Sequence, residues 1–188
     1  MKNKLFSGRL QQRFASIFVL SLLFILLAGC QVNASKIAKQ YQNGIPRDSH
    51  LAMLPFISHT GVPKEETVQL KRILLVQLAS VGIKNTTVYK KPETNPAPSY
   101  LADIYELERA QLWAKSKSIK LSISGEILEW QYDEQNRFST ALQLKVTDIA
   151  SGEDIWSISG MGEGRPGEAA YDVSRKLIAD LVAAMPLQ

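Results

Sequence analysis

Polar and apolar residues alternate most regularly between positions 119 and 160. In 119–132, IKLSISGEILEWQY, residues Ile119, Leu121 and Ile123 fall on one face of a strand. The alternation slips after Gly125, which predicts a bulge or bend there. In 137–149, Phe138, Leu142, Leu144 and Val146 share a face, and 155–160, IWSISG, predicts a last strand. The polar segments DEQN at 133–136 and SGED at 151–154 are turns joining these strands, so the stretch is a three-stranded meander.

Helical spacing flanks the meander. Over 63–81, Val68, Leu74, Leu75, Leu78 and Val81 recur at the helical period, with Pro63 suited to a first helical position and Glu65 and Glu66 in the first turn. Gly82 is a stop. A second helix covers 100–117, with Ile104, Leu107 and Ala114 facing inward. Its acids Asp103, Glu106 and Glu108 come early and Lys115 and Lys117 late, in accord with the helix dipole. A third covers 169–185, with Val173, Leu177, Leu181 and Val182 on one side. Between them lie the Pro-rich loop 92–99 and the Gly-rich loop MGEGRPGE.

Two further strands complete the pattern. Residues 50–57, HLAMLPFI, form an apolar run suited to a buried strand, and Pro55 within it predicts an edge position or a bulge. A short strand spans 86–89. The order is β-α-β-α-β-β-β-α, an α/β fold of the α+β sandwich type: a mixed sheet of about five strands with helices packed on it.

The amino terminus is of another kind. Lys2, Lys4, Arg9 and Arg13 precede an apolar run over 14–28, closed by the small residues Ala28 and Gly29. This is the layout of a secretory signal peptide over 1–29. The run falls short of the roughly 20 apolar residues of a spanning helix. Cys30, the only cysteine, follows directly, and Leu27-Ala28-Gly29-Cys30 resembles a bacterial lipobox. That resemblance implies cleavage before Cys30, thioether lipidation of its sulfur and acylation of the new amino terminus. Gln31 is not the aspartate that retains such proteins at the inner membrane, so the outer membrane is implied. Residues 30–48 then form a lipidated cysteine and polar tether, with one helical turn at 36–42, reaching at most about 60 Å. Residues 49–188 form a single periplasmic domain.

Processing changes the charge. The chain carries 22 Lys and Arg against 18 Asp and Glu, and four of those cations lie in 1–29 with no acid. The mature chain is neutral, which removes the electrostatic case for nucleic-acid binding. Without a second cysteine, no disulfide within the chain supports the fold.

The sequence offers little for catalysis. His50 and His59 are the only histidines, too few with no further cysteine for a usual zinc site. GEGRPG lacks the Gly-Lys-Ser/Thr ending of a phosphate loop, and no G-x-S-x-G is present. Glu126 and Glu129 invite a glycosidase reading. Three residues apart on a strand they point to opposite faces, and only a bulge between them brings both to one side. No metal, cofactor or enzymatic activity is expected. Of the three tryptophans, Trp156 suits the core. Trp130, beside Tyr132 at a strand end, suits either packing or contact with membrane, partner or sugar.

LAMLPFISHT, SGEILEWQY and LKVTDIASGEDIWSISG follow one another at separations that resemble the PelC family, small outer-membrane lipoproteins of Pel exopolysaccharide export. The likeness spans about residues 49–184 plus the lipobox. It implies a non-enzymatic lipoprotein on the periplasmic face of the outer membrane, assembled as a ring-shaped homo-oligomer. The ring would guide a cationic exopolysaccharide over an acidic surface toward an outer-membrane barrel of the PelB type. The residues expected to gather at one pole for this are Asp103, Glu106, Asp133, Glu134 and Glu163, partly offset by Arg137 and Arg165. Two alternatives stay open: a lipoprotein activator of a peptidoglycan synthase, which usually has a longer arm, and a curli-type secretion-channel subunit, which needs extra lipid-facing strands.

Overall fold

The computed structural model describes residues 31–32, 36–92 and 102–188. The leader, Cys30 and most of the Pro-rich loop lie outside the described residues. The elements are β1 (Gln31–Val32), β2 (Lys36–Ile37), a 3-10 turn (Lys39–Tyr41), β3 (Leu51–Ser58), α1 (Lys64–Ser80), β4 (Thr86–Val88), α2 (Ala102–Ser116), β5 (Leu121–Tyr132), β6 (Phe138–Asp148), β7 (Asp154–Glu163) and α3 (Ala170–Ala183). Strands β3–β7 and the three helices follow the expected order.

The sheet runs β1-β7-β6-β5-β3-β4, with β2 also on β7. β3 pairs in parallel with both β4 and β5, and the meander is antiparallel. The two crossovers, β3-α1-β4 and β4-α2-β5, step across the sheet in opposite senses. Because such connections are right-handed, α1 and α2 land on opposite faces. α3, after β7, joins α1. Each helix therefore starts at the end of the sheet where β5 meets β6 and runs back along it.

The main core lies under α1 and α3. Leu70, Leu74 and Leu78 of α1 and Leu177, Ile178 and Leu181 of α3 meet Met53, Ile123, Leu142, Leu144, Val146 and Trp156. Fully burying a side chain of this size contributes about 1.5–3 kcal/mol. The fully buried Trp156 matches its expected place. On the opposite face α2 packs chiefly on β3, where Ala110, Ala114 and Ile119 meet Ala52, Leu54 and Tyr89, and it flanks Ser122 and Thr147 at one end of β5 and β6. The rest of that face, across most of β5–β7, has no helix among the described residues.

Several local expectations are refined. Val68 is exposed, and the inward row of α1 is Leu70, Ile73, Leu74 and Leu78. Ile104 is exposed as well, because α2 presents only a narrow stripe around Ala110 and Ala114 to the sheet. Pro55 sits in an interior strand, not at an edge, and the ladder with β5 shifts register between Met53 and Phe56 around it. A bulge relieves a central strand of the missing donor. Gly82 takes φ 100° after α1, a left-handed value that ends the helix.

The segment 31–48 does more than link. Gln31 pairs with Met161, Val32 with Gly160, Lys36 with Ser157 and Ile37 with Trp156, covering the free edge of β7. The 3-10 turn at Lys39–Tyr41 agrees with the expected helical turn. Ile45 is fully buried and bridges Leu187, and Ala38 N–H donates to Ile155 O at 2.7 Å. Ile45 in the core, with Ala38 and Tyr41 packed against it, gives this segment its hold.

Candidate functional site

The β5–β6 hairpin extends beyond the end of β3, which stops opposite Ile127. Its turn is built on Asp133. One carboxylate oxygen accepts the backbone N–H groups of Arg137 (2.8 Å) and Gln135 (2.9 Å), and the other accepts Arg137 Nε at 2.7 Å. Asn136 completes the turn at φ 57°, a left-handed value that asparagine tolerates. The Arg137 backbone N–H, followed by its guanidinium, holds the Asp133 carboxyl below its usual range. Arg137 also reaches Glu163, at the end of β7, at 3.4 Å. Glu134 is exposed in the same turn. Asp133, Glu134 and Glu163 thus gather at one pole, with Arg137 between two of them.

The other two expected acids do not join them. Asp103 lies in the first turn of α2, and its side chain is outside the described residues. Glu106 is buried under α2, its side chain 7% exposed, with Arg109 at 2.8 Å and Lys91 at 3.2 Å. Burial favours its neutral form, but bonds from Tyr89 and Lys91 outweigh that and keep the carboxyl low. Tyr89 N–H binds Met53 O, level with Ile123 of β5. Asp133 is ten residues further along, about 33 Å at 3.3 Å per residue. Glu106 is a structural anion of the α2 contact.

Trp130 and Tyr132 flank Phe138, with ring centroids 4.6 and 5.1 Å from it. Trp130 is half-buried in this cluster beside Val173, whereas Tyr132 keeps half its surface in solvent. Packing accounts for the first and leaves the second available.

The helix-free part of the sheet is polar. Ser122, Ser124 and Glu126 of β5, Gln143, Lys145 and Thr147 of β6, and Ser157 and Ser159 of β7 share this face by their pairing. At its centre Glu126 takes Lys145 Nζ at 2.6 Å and His59 Nε2 at 3.1 Å. Burial favours the neutral Glu126 carboxyl, but the hydrogen bonds from Lys145 and His59 overcome this and hold it low. One signal for this cluster is readable beforehand, since the hairpin register sets Lys145 one diagonal from Glu126.

The sheet also overturns one expectation. The ladder shifts between Ile127 and Glu129, so Leu128 and Glu129 both stand opposite Ala141. That bulge brings Glu129 to the face of Glu126. The pair still lacks the makings of a general acid, because the hydrogen bonds from Lys145 and His59 hold the Glu126 carboxyl below its usual range. Glu129 accepts Ser139 Oγ at 2.8 Å and Gln131 Nε2 at 3.0 Å. Among the described residues no group of three or more metal-binding side chains occurs, and no helix is long and apolar enough to cross a membrane.

An α+β domain whose mixed sheet has five main strands, β3–β7, with β1 and β2 added at the β7 edge, two helices on one face, one on the other and a protruding acidic hairpin defines the structural class. Within it, the chain has a PelC-like fold. A PelC dodecamer from Paraburkholderia phytofirmans superposes with a TM-score of 0.64 at 19% identity, covering 85% of this chain and 99% of that one. A point variant of the same dodecamer gives 0.62 at 17% identity, covering 85% and 98%. No family model and no curated protein sequence matches the chain.

Proposed function

We propose that this chain is a non-enzymatic outer-membrane lipoprotein of exopolysaccharide export. Anchored through Cys30 on the periplasmic face, it forms a ring that guides a cationic polysaccharide toward an outer-membrane barrel. The observation that carries the reading is the PelC-like fold, matched along nearly the whole of a protein that forms dodecamers. The lipobox-like Leu27-Ala28-Gly29-Cys30 supports the anchor. The clustered carboxylates of Asp133, Glu134 and Glu163 support the attraction, since like charges at one pole focus a field on an oppositely charged chain. Deleting the protein in its native cell tests the reading: the polymer stays inside while its synthesis continues. Unchanged secretion overturns it, as does mass spectrometry showing an unmodified thiol at residue 30.

A further inference from the structure

Two surfaces on opposite sides of the domain are left without partners. On one side, α1 and α3 enclose a groove of about 310 Å³ lined by Gln69, Arg72, Val76, Tyr171 and Arg175. Arg72, Val76 and Gln69 share a helical row, and Tyr171 and Arg175 are one turn apart on α3. Neither arginine has an ion-pair partner among the described residues. Val76 is 64% and Tyr171 47% exposed. The groove therefore combines two unpaired cations with solvent-facing apolar surface.

The other surface is the helix-free part of the sheet. The bulge places Leu128 and Glu129 together opposite Ala141, and Ala141 pairs in turn with Met161. The row holds Leu128 and Glu129 on β5, Ala141 on β6 and Met161 on β7, with Leu128 42% and Met161 49% exposed. Among the described residues Glu129 has only neutral partners, Ser139 and Gln131. An unneutralised carboxylate between two apolar side chains complements two guanidiniums beside Val76 and Tyr171.

We infer that the α1–α3 groove of one copy receives the Leu128–Glu129–Met161 row of a second copy. The inference rests on the ring reading and deepens it by naming the two surfaces. Because they lie on opposite faces of the sheet, the contact is heterologous. A heterologous contact does not close on itself in a pair; it repeats head to tail, giving a ring when the rotation closes. Arg72 and Arg175 grip Glu129 of the neighbour, and Val76 and Tyr171 cover its Leu128 and Met161. Arginine suits this role because its planar fork binds a carboxylate through two parallel bonds.

The test uses the full chain extracted in detergent, sized by light scattering and native mass spectrometry. Arg72→Glu with Arg175→Glu reduces the oligomer to single chains, while far-ultraviolet circular dichroism stays unchanged. Adding Glu129→Arg to that double variant restores the oligomer. Independently, a chain with both Val76→Cys and Met161→Cys forms a ladder of crosslinked oligomers on oxidation, which neither substitution gives alone. A wild-type oligomer that survives the charge reversal and yields no ladder overturns the assigned interface and leaves the ring standing. A wild-type chain that is a single molecule at all concentrations overturns the ring, and the interface with it.

Discussion

The ring of Phe56 lies on the backbone of Gly125, its partner across the β3–β5 ladder. A Cβ at position 125 would overlap Cε1, Cδ1 and Cζ of that ring. The glycine exists at this point because an aromatic side chain of the bulged strand β3 occupies the space.

Gly125→Ala therefore destabilises the domain by about 1–3 kcal/mol, the usual cost of forcing extra volume into a packed core. Phe56→Ala alone costs about 3–5 kcal/mol through the cavity it leaves. The double variant loses less than the two single losses together, since each change relieves the other. Urea unfolding of the four proteins measures the coupling, and strict additivity contradicts the contact.

Glu106 gives a pH dependence of defined sign. Its carboxyl titrates lower in the fold than its ordinary value of 4.5. A depressed carboxylate stabilises above that ordinary value, and the contribution is lost as pH falls through the folded one. Glu106→Gln costs about 1–3 kcal/mol at neutral pH, when Lys91 and Arg109 lose their anion. Wild type and variant converge as the solution is acidified below about pH 4.5. Parallel denaturation curves across the acid range check this; a constant gap at every pH is the contrary result.

Trp156 is fully buried between the sheet and its two helices. Trp156→Ala costs about 3–5 kcal/mol. Thermal unfolding reads the loss, and a melting point within a degree of wild type counts against the packing described.

The acidic pole predicts the reverse balance, with little stability and more binding. Asp133, Glu134 and Glu163 are exposed, so solvent screens their ion pairs. The triple variant Asp133→Asn, Glu134→Gln, Glu163→Gln stays folded, because the amide oxygen of the first substitution can still accept the backbone N–H groups of Gln135 and Arg137. Its affinity for a partly deacetylated, cationic oligosaccharide falls and loses most of its salt dependence. Titration calorimetry at two ionic strengths decides it. Equal affinity and an equal salt slope would remove the proposed role of these carboxylates.

The meander was legible because one face packs and the other stays polar, so alternation recurs with period two from Leu121 to Ile158. α3 was legible for a similar reason: a wide apolar stripe at Val173, Leu177, Leu181 and Val182 leaves one solution. α1 and α2 were harder. α1 also carries Val68 and Val76 on its outer face, so its spacing alone admits two inward sides. α2 meets the sheet through alanines, which mark a contact less clearly than leucines do. The acidic pole was half legible. Helix and strand directions set which end Asp133 and Glu163 share, yet they say nothing of depth. Depth separates Glu106 from them, because its partners Lys91 and Arg109 come from a loop and from the helix itself. The bulge at Leu128 had no local signature beyond the slipped alternation, so the common face of Glu126 and Glu129 emerged only from the paired register.

The pairing of Gln31 with Met161 brings the start of the tether against β7. Residue 30 is a single Cα step, about 3.8 Å, from a residue bonded to β7. A lipid carried there would leave the domain almost no slack. The body would stand on the bilayer hairpin-first, with Asp133, Glu134 and Glu163 held at the water–lipid boundary and the α1 and α3 carboxyl ends pointing away from it.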